Sequence, residues 1–202
     1  VFNRALTEEE KQDKISQGNG YAMQIYHPPK DEIYPCPQDM AAHIVKSCVS
    51  DSFDITALGE QPNDNGALRQ LGHSHGFIYR RILNSTPFPL IPVAVNTYYP
   101  PNQPSPRRCF EFGCAIARGI KSWPGKERIV VAGSGGMTHF VIDEGMDARL
   151  LNAMKTRDFE TLCKEPDIHF RSGTSEIKNW IVLAGMMAET NLEMDLLDYV
   201  PC

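Results

Sequence analysis

The sequence predicts an α/β domain, a layered structure in which a central, largely parallel or mixed sheet is flanked by helices. Two observations favour this fold class. Short apolar runs rich in β-branched side chains, of which Ile129–Val131 is the clearest, have the composition of buried strands. Segments in which apolar residues recur at helical spacing alternate with these runs along the chain.

The length of 202 residues and the hydrophobic content of 42% are sufficient for a domain with a substantial core. We therefore expect a single catalytic-type domain over residues 1–202. The chain begins at Val1, without a methionine, and ends at Cys202 after an extended-looking run. We expect it to be part of a longer polypeptide, truncated at both ends.

Five segments are predicted to be helical, because a capping residue precedes them or because their apolar residues share one helical face. They begin at or near Thr7, Pro37, Ser105, Asp143 and Thr174. The first has the capping-box pattern, with Glu10 three residues after Thr7, and the second extends to Ser50.

The remaining segments are predicted to be strands or loops. Residues 54–58 and 88–96 are strand candidates, although Pro89 and Pro92 remove backbone donors from the second. Residues 61–66 form a polar loop, and the prolines within residues 98–106 require an extended connection.

Charge and composition exclude several classes of function. The net charge is −5 and basic residues cluster only in the pairs Arg80-Arg81 and Arg107-Arg108, so we do not expect nucleic-acid binding. No apolar run approaches the roughly 20 residues of a membrane span, and no signal peptide is recognisable. None of the six cysteines forms a CxxC pair, which favours reduced thiols in a cytoplasmic protein.

The segment RIVVAGSGGMTHF, residues 128–140, carries the strongest functional signal. Its apolar run ends at Gly133, Gly135 and Gly136, which permit a tight turn, and the turn leads to His139. In an open α/β sheet, ligands bind beyond the carboxyl ends of the strands. His139 is therefore a candidate for proton transfer.

Two further candidates have a structural alternative. His73 and His75 are separated by one residue, and such a pair lies more often on a surface or in a core than in a metal or catalytic site. Glu176 lies at the start of the last predicted helix, where it is either a metal ligand or a carboxylate favoured by the helix dipole. The remaining histidines are assigned structural or exposed roles: His27, His43 and His169.

The same glycine turn also permits a serine hydrolase as an alternative function. Ser134 follows the apolar run in the manner of a nucleophile elbow, and Asp143, or Asp167, with His169 would complete a triad. The pattern is incomplete, because Ala132 stands where the motif has glycine.

Four segments taken together resemble the class III extradiol ring-cleavage dioxygenases, the superfamily of the protocatechuate 4,5-dioxygenase catalytic subunit. The segments are HSHGFIYRRI, PVAVNTYYPPNQPSPRRCFEFG, VVAGSGGMTHFVIDE and SGTSEIKNWIVLAG, in this order. They span residues 70–185 approximately. The resemblance rests on their combined order and spacing, since each segment alone is a weak signal.

The resemblance implies a mechanism and a set of site residues. Such enzymes bind Fe(II) through two histidines and one glutamate, and they cleave a catecholic acid such as protocatechuate or gallate with O2. His139 matches the acid/base histidine, Glu176 the metal-binding glutamate, and His75 a histidine that contacts substrate or oxygen. Thr138 is also expected to contact substrate. Ser74 stands where the family has an aspartate beside the second histidine.

The sequence departs from this family in one respect, because neither metal-binding histidine pattern is found. Either both histidines precede Val1, or the protein is a metal-free, family-like subunit with a structural or regulatory role. The resemblance also implies a homodimer or pairing with a small second subunit. Three residues are candidates to bind a substrate carboxylate: Arg80, Arg81 and Lys178.

Overall fold

The structure, a computed structural model, describes residues 2–3, 6–17, 32–58 and 73–201. These residues belong to two compact units, each with its own core. Unit 1 comprises Val1–Ala41 and Thr56–Val93, and unit 2 comprises Ala42–Ile55 and Ala94–Cys202. His27 and the loop predicted at residues 61–66 lie outside the described residues.

Unit 1 contains a minimal strand pair and a capped helix. Strands β1 (Phe2–Asn3) and β2 (Glu32–Ile33) pair in antiparallel orientation. Helix α1 (Glu8–Ser16) begins after Thr7, whose hydroxyl accepts from the backbone N–H of Glu10 at 3.2 Å. The Glu10 carboxylate accepts from the backbone N–H of Thr7 at 2.8 Å, which confirms the predicted capping box.

Helix α2 (Gln38–Ser50) confirms the helix predicted at residues 37–50 and contributes residues to both units. In unit 1, helix α3 (His73–Phe77) continues directly into a π-helix at Ile78–Ile82. Tyr79 of the π-helix stacks on Tyr34, with ring centroids 3.9 Å apart. Both tyrosines are buried and form the small core of this unit.

Unit 2 is built from longer helices around one core. They are α4 (Pro106–Lys121), α5 (Glu144–Lys155), α6 (Phe159–Lys164) and α7 (Ile177–Ala188), with 3₁₀ turns at Asp167–His169 and Ser172–Glu176. The cap predicted at Ser105 and the helix predicted to begin at Asp143 are both confirmed. Ser105 Oγ accepts from the N–H of Arg108 at 3.2 Å, and Asp143 Oδ1 accepts from that of Met146 at 2.8 Å.

Helices α4 and α7 approach each other so closely that two glycines are required at their contact. A Cβ on Gly113 would overlap the carbonyl oxygen of Val182, and a Cβ on Gly185 would overlap that of Phe110. The thiol of Cys114 donates to the Gly185 carbonyl at 3.3 Å. Each helix contributes one glycine, so the two backbones are in direct contact at two positions, one at Gly113 and one at Gly185.

The prediction of a central sheet flanked by helices is wrong for the described residues, which are mainly helical. Their only strands are β1 and β2, with two residues each. Ile129–Val131 has no ladder partner among the described residues, and Val130 is 78% exposed. Residues 54–58 and 88–96 also lack regular structure. β-Branched composition indicates a local preference for extended backbone, whereas a strand also needs a neighbour to bond with.

The described cysteines and helices have two further properties. All five described cysteines are free thiols, and burial raises the pKa of the Cys109 thiol to about 12. Such a thiol is unreactive at neutral pH. In the part of the chain that the structure describes, no helix combines the length and the apolar character needed to cross a membrane.

The α4–α7 contact predicts a large effect of a single methyl group. We expect Gly113→Ala to lower the free energy of unfolding by about 1–3 kcal/mol, because the new Cβ must displace a backbone carbonyl rather than a flexible side chain. Urea denaturation followed by circular dichroism measures this change. An unfolding midpoint equal to that of the wild type would show that the helices are not in contact at Gly113.

Candidate active site

The glycine turn that precedes His139 is attached to the beginning of α7 by three side chains. Glu176 Oε2 accepts from the N–H of Gly136 at 3.1 Å. Asn179 Nδ2 donates to the Ser134 carbonyl at 2.8 Å, and Trp180 Nε1 donates to the Gly135 carbonyl at 2.9 Å. Positions 176, 179 and 180 are spaced by three and four residues and therefore lie on one helical face.

The imidazole of His139 is held in one orientation by a hydrogen bond and by two glycines. Its Nδ1 lies 2.9 Å from the carbonyl oxygen of Met137. A Cβ on Gly136 would lie 2.9 Å from Nδ1, and a Cβ on Gly173 would lie 2.8 Å from Cδ2 and 2.9 Å from Nε2. Any residue larger than glycine at either position would therefore displace the ring.

His139 and Glu176, which sequence reasoning proposed separately, lie next to each other in unit 2. His139 Nε2 is 3.8 Å from Glu176 Oε1. The side chains are 25% and 39% exposed respectively, so a small molecule has access to both. The arrangement can therefore transfer a proton at Nε2 and hold a cation at the carboxylate.

Thr138 is buried and its polar groups are already in use. Its N–H and its hydroxyl both donate to the carboxylate of Asp147, at 2.9 Å each. The hydroxyl oxygen accepts from the N–H of Asp143 at 2.8 Å. Tyr199 gives Asp147 a third hydrogen bond at 2.7 Å, and this bond raises the pKa of the Tyr199 phenol to about 12.

A cavity of about 450 Å³ adjoins His139 and Thr138 in unit 2. Its walls come from α5, from α7 and from residues 194–201, and most of the contributing side chains are apolar. Its volume is within the range of small-molecule sites.

His75, the other predicted catalytic residue, lies in unit 1 on α3. Ser74 Oγ is 3.3 Å from His75 Nδ1, so a serine hydroxyl lies beside the ring where the resemblance would imply a carboxylate. Burial, and secondarily the charge of His73, lower the pKa of His75. The ring is therefore neutral at physiological pH.

The described residues contain one candidate ligand for the metal centre that the resemblance implies. Glu176 offers a carboxylate oxygen that is not engaged by the Gly136 N–H, and Fe(II) accepts such a ligand. A facial triad also needs two imidazoles. Among the described residues, no group of three or more His, Cys, Asp or Glu side chains is placed to hold a metal ion. The described part of the chain therefore does not fit a complete iron site.

Several other candidates are engaged in local contacts. His43 Nε2 lies 2.8 Å from the Ser122 hydroxyl, and His169 Nδ1 lies 2.7 Å from Glu165. The ammonium group of Lys178 is buried and lies 3.8 Å from Asp167.

The two arginine candidates for a substrate carboxylate differ in burial. Arg81 is exposed, whereas Nη1 of Arg80 is buried and has no hydrogen-bond partner among the described residues. Both arginines lie in the π-helix of unit 1, which also contains Tyr79.

Comparison with known proteins establishes the family. A family model described as the catalytic LigB subunit of aromatic ring-opening dioxygenase matches residues 3–201. The chain belongs to this family. The match spans both units and includes every candidate residue of the site.

Two relatives of this chain have names that state an activity. A gallate dioxygenase of Pseudomonas putida is 24% identical over 160 residues, which cover 74% of this chain and 45% of the relative. A 2,3-dihydroxyphenylpropionate/2,3-dihydroxicinnamic acid 1,2-dioxygenase of Azotobacter vinelandii is 29% identical over 103 residues, which cover 51% of this chain and 30% of the relative. This chain thus spans less than half the length of either relative.

Sequence reasoning missed the residues that build the site around His139 and Glu176. Asn179 and Trp180 share a helical face with Glu176, and this spacing was visible in the segment SEIKNW. Asp147 and Tyr199 gave no such signal, because their contact joins residues 52 positions apart.

The position of His139 is predicted to depend on Gly173. We expect Gly173→Ala to lower turnover about 10–100-fold, because the new Cβ must move the imidazole away from its position. Steady-state kinetics of the purified variant measure this loss. Gly133→Ala is the matched control, since a Cβ there would make only ordinary contacts at 3.4 Å or more. Equal turnover of the Gly173 and Gly133 variants would contradict the prediction.

The lowered pKa of His75 predicts a pH dependence of stability. Below its ordinary pKa near 6.5 the imidazole is protonated in the unfolded chain, whereas in the folded chain it resists protonation. The unfolded state then binds more protons, so stability decreases as pH falls below about 6.5. We expect urea denaturation at pH 7.5 and 5.5 to show a smaller loss for His75→Gln than for the wild type. Identical losses would assign the pH dependence to other groups.

Proposed function

We propose that the protein containing this chain is an Fe(II)-dependent extradiol dioxygenase that opens the ring of a catecholic acid with O2. Membership of the LigB family supports aromatic ring opening. The names of two relatives support a substrate that carries adjacent hydroxyls and a carboxylate, as gallate does. A cytoplasmic homodimer, or an assembly with a small second subunit, belongs to the same proposal and is supported by the family resemblance.

The hydrogen bond between His139 and the Met137 carbonyl carries this proposal. A carbonyl oxygen can only accept, so the Nδ1 of a neutral His139 donates its proton to it, and the Nε2 lone pair is then free. Nε2 is the nitrogen on the side of Glu176. His139 can therefore remove a proton from a substrate hydroxyl placed beside Nε2 and return it later in the reaction.

Glu176 has two roles in the proposal. Its Oε2 accepts from the Gly136 N–H and so fixes the carboxylate and the glycine turn relative to each other. Its Oε1 lies 3.8 Å from His139 Nε2, so that a ligand of the carboxylate would lie beside the imidazole. Fe(II) enters the proposal through the family, and Glu176 is the one ligand for it in the described residues. The two imidazole ligands would come from outside the described ranges.

His75 of unit 1 and Thr138 of unit 2 are each given a separate role in the proposal. His75 is proposed to assist catalysis and to contact substrate or O2 as a neutral imidazole, in keeping with its lowered pKa. Thr138 is proposed to contribute through the backbone it shares with His139, since its hydroxyl is already bonded to Asp147.

Oxygen uptake by the full-length protein tests the proposal. The protein is loaded anaerobically with Fe(II), and uptake is measured with gallate, protocatechuate and 2,3-dihydroxyphenylpropionate alongside bound iron. We expect uptake with at least one substrate and a ring-opened product. Iron-free protein without uptake would support the metal-free subunit instead. Labelling of Ser134 by a fluorophosphonate would support the serine hydrolase.

Three variants, at His139 and at Glu176, separate proton transfer from metal binding. We expect His139→Gln to retain iron and to lose about 10²–10⁴-fold in turnover, because an amide cannot exchange the proton. Glu176→Ala is expected to lose iron, and Glu176→Gln, which keeps an acceptor for the Gly136 N–H, to lose it as well. Normal turnover of His139→Gln would remove His139 from the mechanism, and unchanged iron in both Glu176 variants would move the carboxylate ligand elsewhere.

A further inference from the structure

Asp147 is a buried carboxylate that the proposed mechanism does not use. It is 1% exposed and lies on α5. Three donors contact it, namely the N–H and hydroxyl of Thr138 and the hydroxyl of Tyr199, at 2.7–2.9 Å. No ion pair involving this carboxylate occurs among the described residues. Hydrogen bonds to a charged group of this kind are the strong ones, and a buried carboxylate without them would be unstable.

The three donors join separate parts of unit 2 at this carboxylate. Thr138 directly precedes His139, and its hydroxyl also accepts from the N–H of Asp143, the cap of α5. Tyr199 lies near the end of the chain, far from the turn in sequence. Two bonds from one residue to one carboxylate fix the backbone of that residue in both position and rotation. His139 is joined to Thr138 by one peptide bond, so fixing the backbone of Thr138 also fixes where the backbone of His139 begins.

We propose that Asp147 is a positioning residue for His139, acting through Thr138, and that Tyr199 supports the arrangement by donating a second hydrogen bond to Asp147 Oδ2. The inference rests on the proposed function, in which His139 moves the proton. This positioning role differs from a substrate-binding role for Thr138. In the positioning role the Thr138 hydroxyl is bonded to Asp147 and affects the reaction only through the position of His139.

The role predicts a separation between turnover and substrate binding. We expect Asp147→Asn in the full-length protein to lower kcat at least tenfold and to leave KM within twofold, because the substrate still binds while the imidazole is displaced. Thr138→Val should behave similarly, and Thr138→Ser, which restores the hydroxyl, should recover most of the kcat that Thr138→Val loses. A rise in KM of Thr138→Val at unchanged kcat would overturn the proposal in favour of direct substrate contact.

A readout that does not need activity separates this inference from the proposed function. The ring resonances of His139 are assigned by NMR and compared at one pH among the variants. We expect them to shift in Asp147→Asn and, by less, in Tyr199→Phe. The control is Asp158→Asn, because Asp158 also accepts from the N–H and hydroxyl of one threonine, Thr161, but at the cap of α6. It should leave the His139 resonances unchanged.

The outcomes then distinguish the two proposals. If the wild type has no dioxygenase activity but the resonances shift as expected, the proposed function fails and the positioning role stands. Unshifted His139 resonances in folded Asp147→Asn would overturn the positioning role whatever the activity. If Asp147→Asn does not fold, Tyr199→Phe decides, since it removes one donor from a partly exposed residue; unshifted resonances there would also overturn the role.

Discussion

The geometry of the site depends on the contact between α4 and α7. Gly113 and Gly185 allow the two backbones to touch, so the position of α7 is set by carbonyl oxygens rather than by adaptable side chains. The first residues of α7, and Glu176 just before them, hold the glycine turn through three hydrogen bonds. The turn then places His139. The packing of α7 against α4 therefore determines the position of the His139 imidazole, through backbone contacts and short polar contacts.

Two carboxylates close to His139 have different chemistry because their environments differ. Asp147 is buried and accepts three hydrogen bonds from within the protein, so its environment suits a structural role. Glu176 is 39% exposed and accepts one backbone hydrogen bond at Oε2, which leaves Oε1 accessible to a bound group. The number of donors and the access of solvent therefore separate two carboxylates of similar chemistry.

The parts of this structure that the sequence predicts are those decided within a few residues. The caps at Thr7, Ser105 and Asp143 satisfy nearby N–H groups, so their pattern is local and the helices follow. The central sheet was predicted wrongly because strand composition does not specify a partner. The contact between Asp147 and Tyr199 is equally non-local, and no spacing rule indicates it. His139 and Glu176 were singled out from the sequence by their local context, and the resemblance gave them roles, but only the structure shows that they are adjacent.

The position of the glycine turn depends on contacts made after the apolar segment Ile129–Val131, which precedes the turn. Ile129–Val131 has no ladder partner in the described part of the chain, and its side chains are exposed. The approach to the glycine turn therefore contributes little to its position. Asn179, Trp180 and Glu176, at the start of α7, hold Ser134, Gly135 and Gly136 through hydrogen bonds, and Asp147 on α5 holds Thr138. The turn and the residue directly before His139 are therefore fixed by contacts to two different helices, so the position of the imidazole depends on helix packing rather than on a sheet.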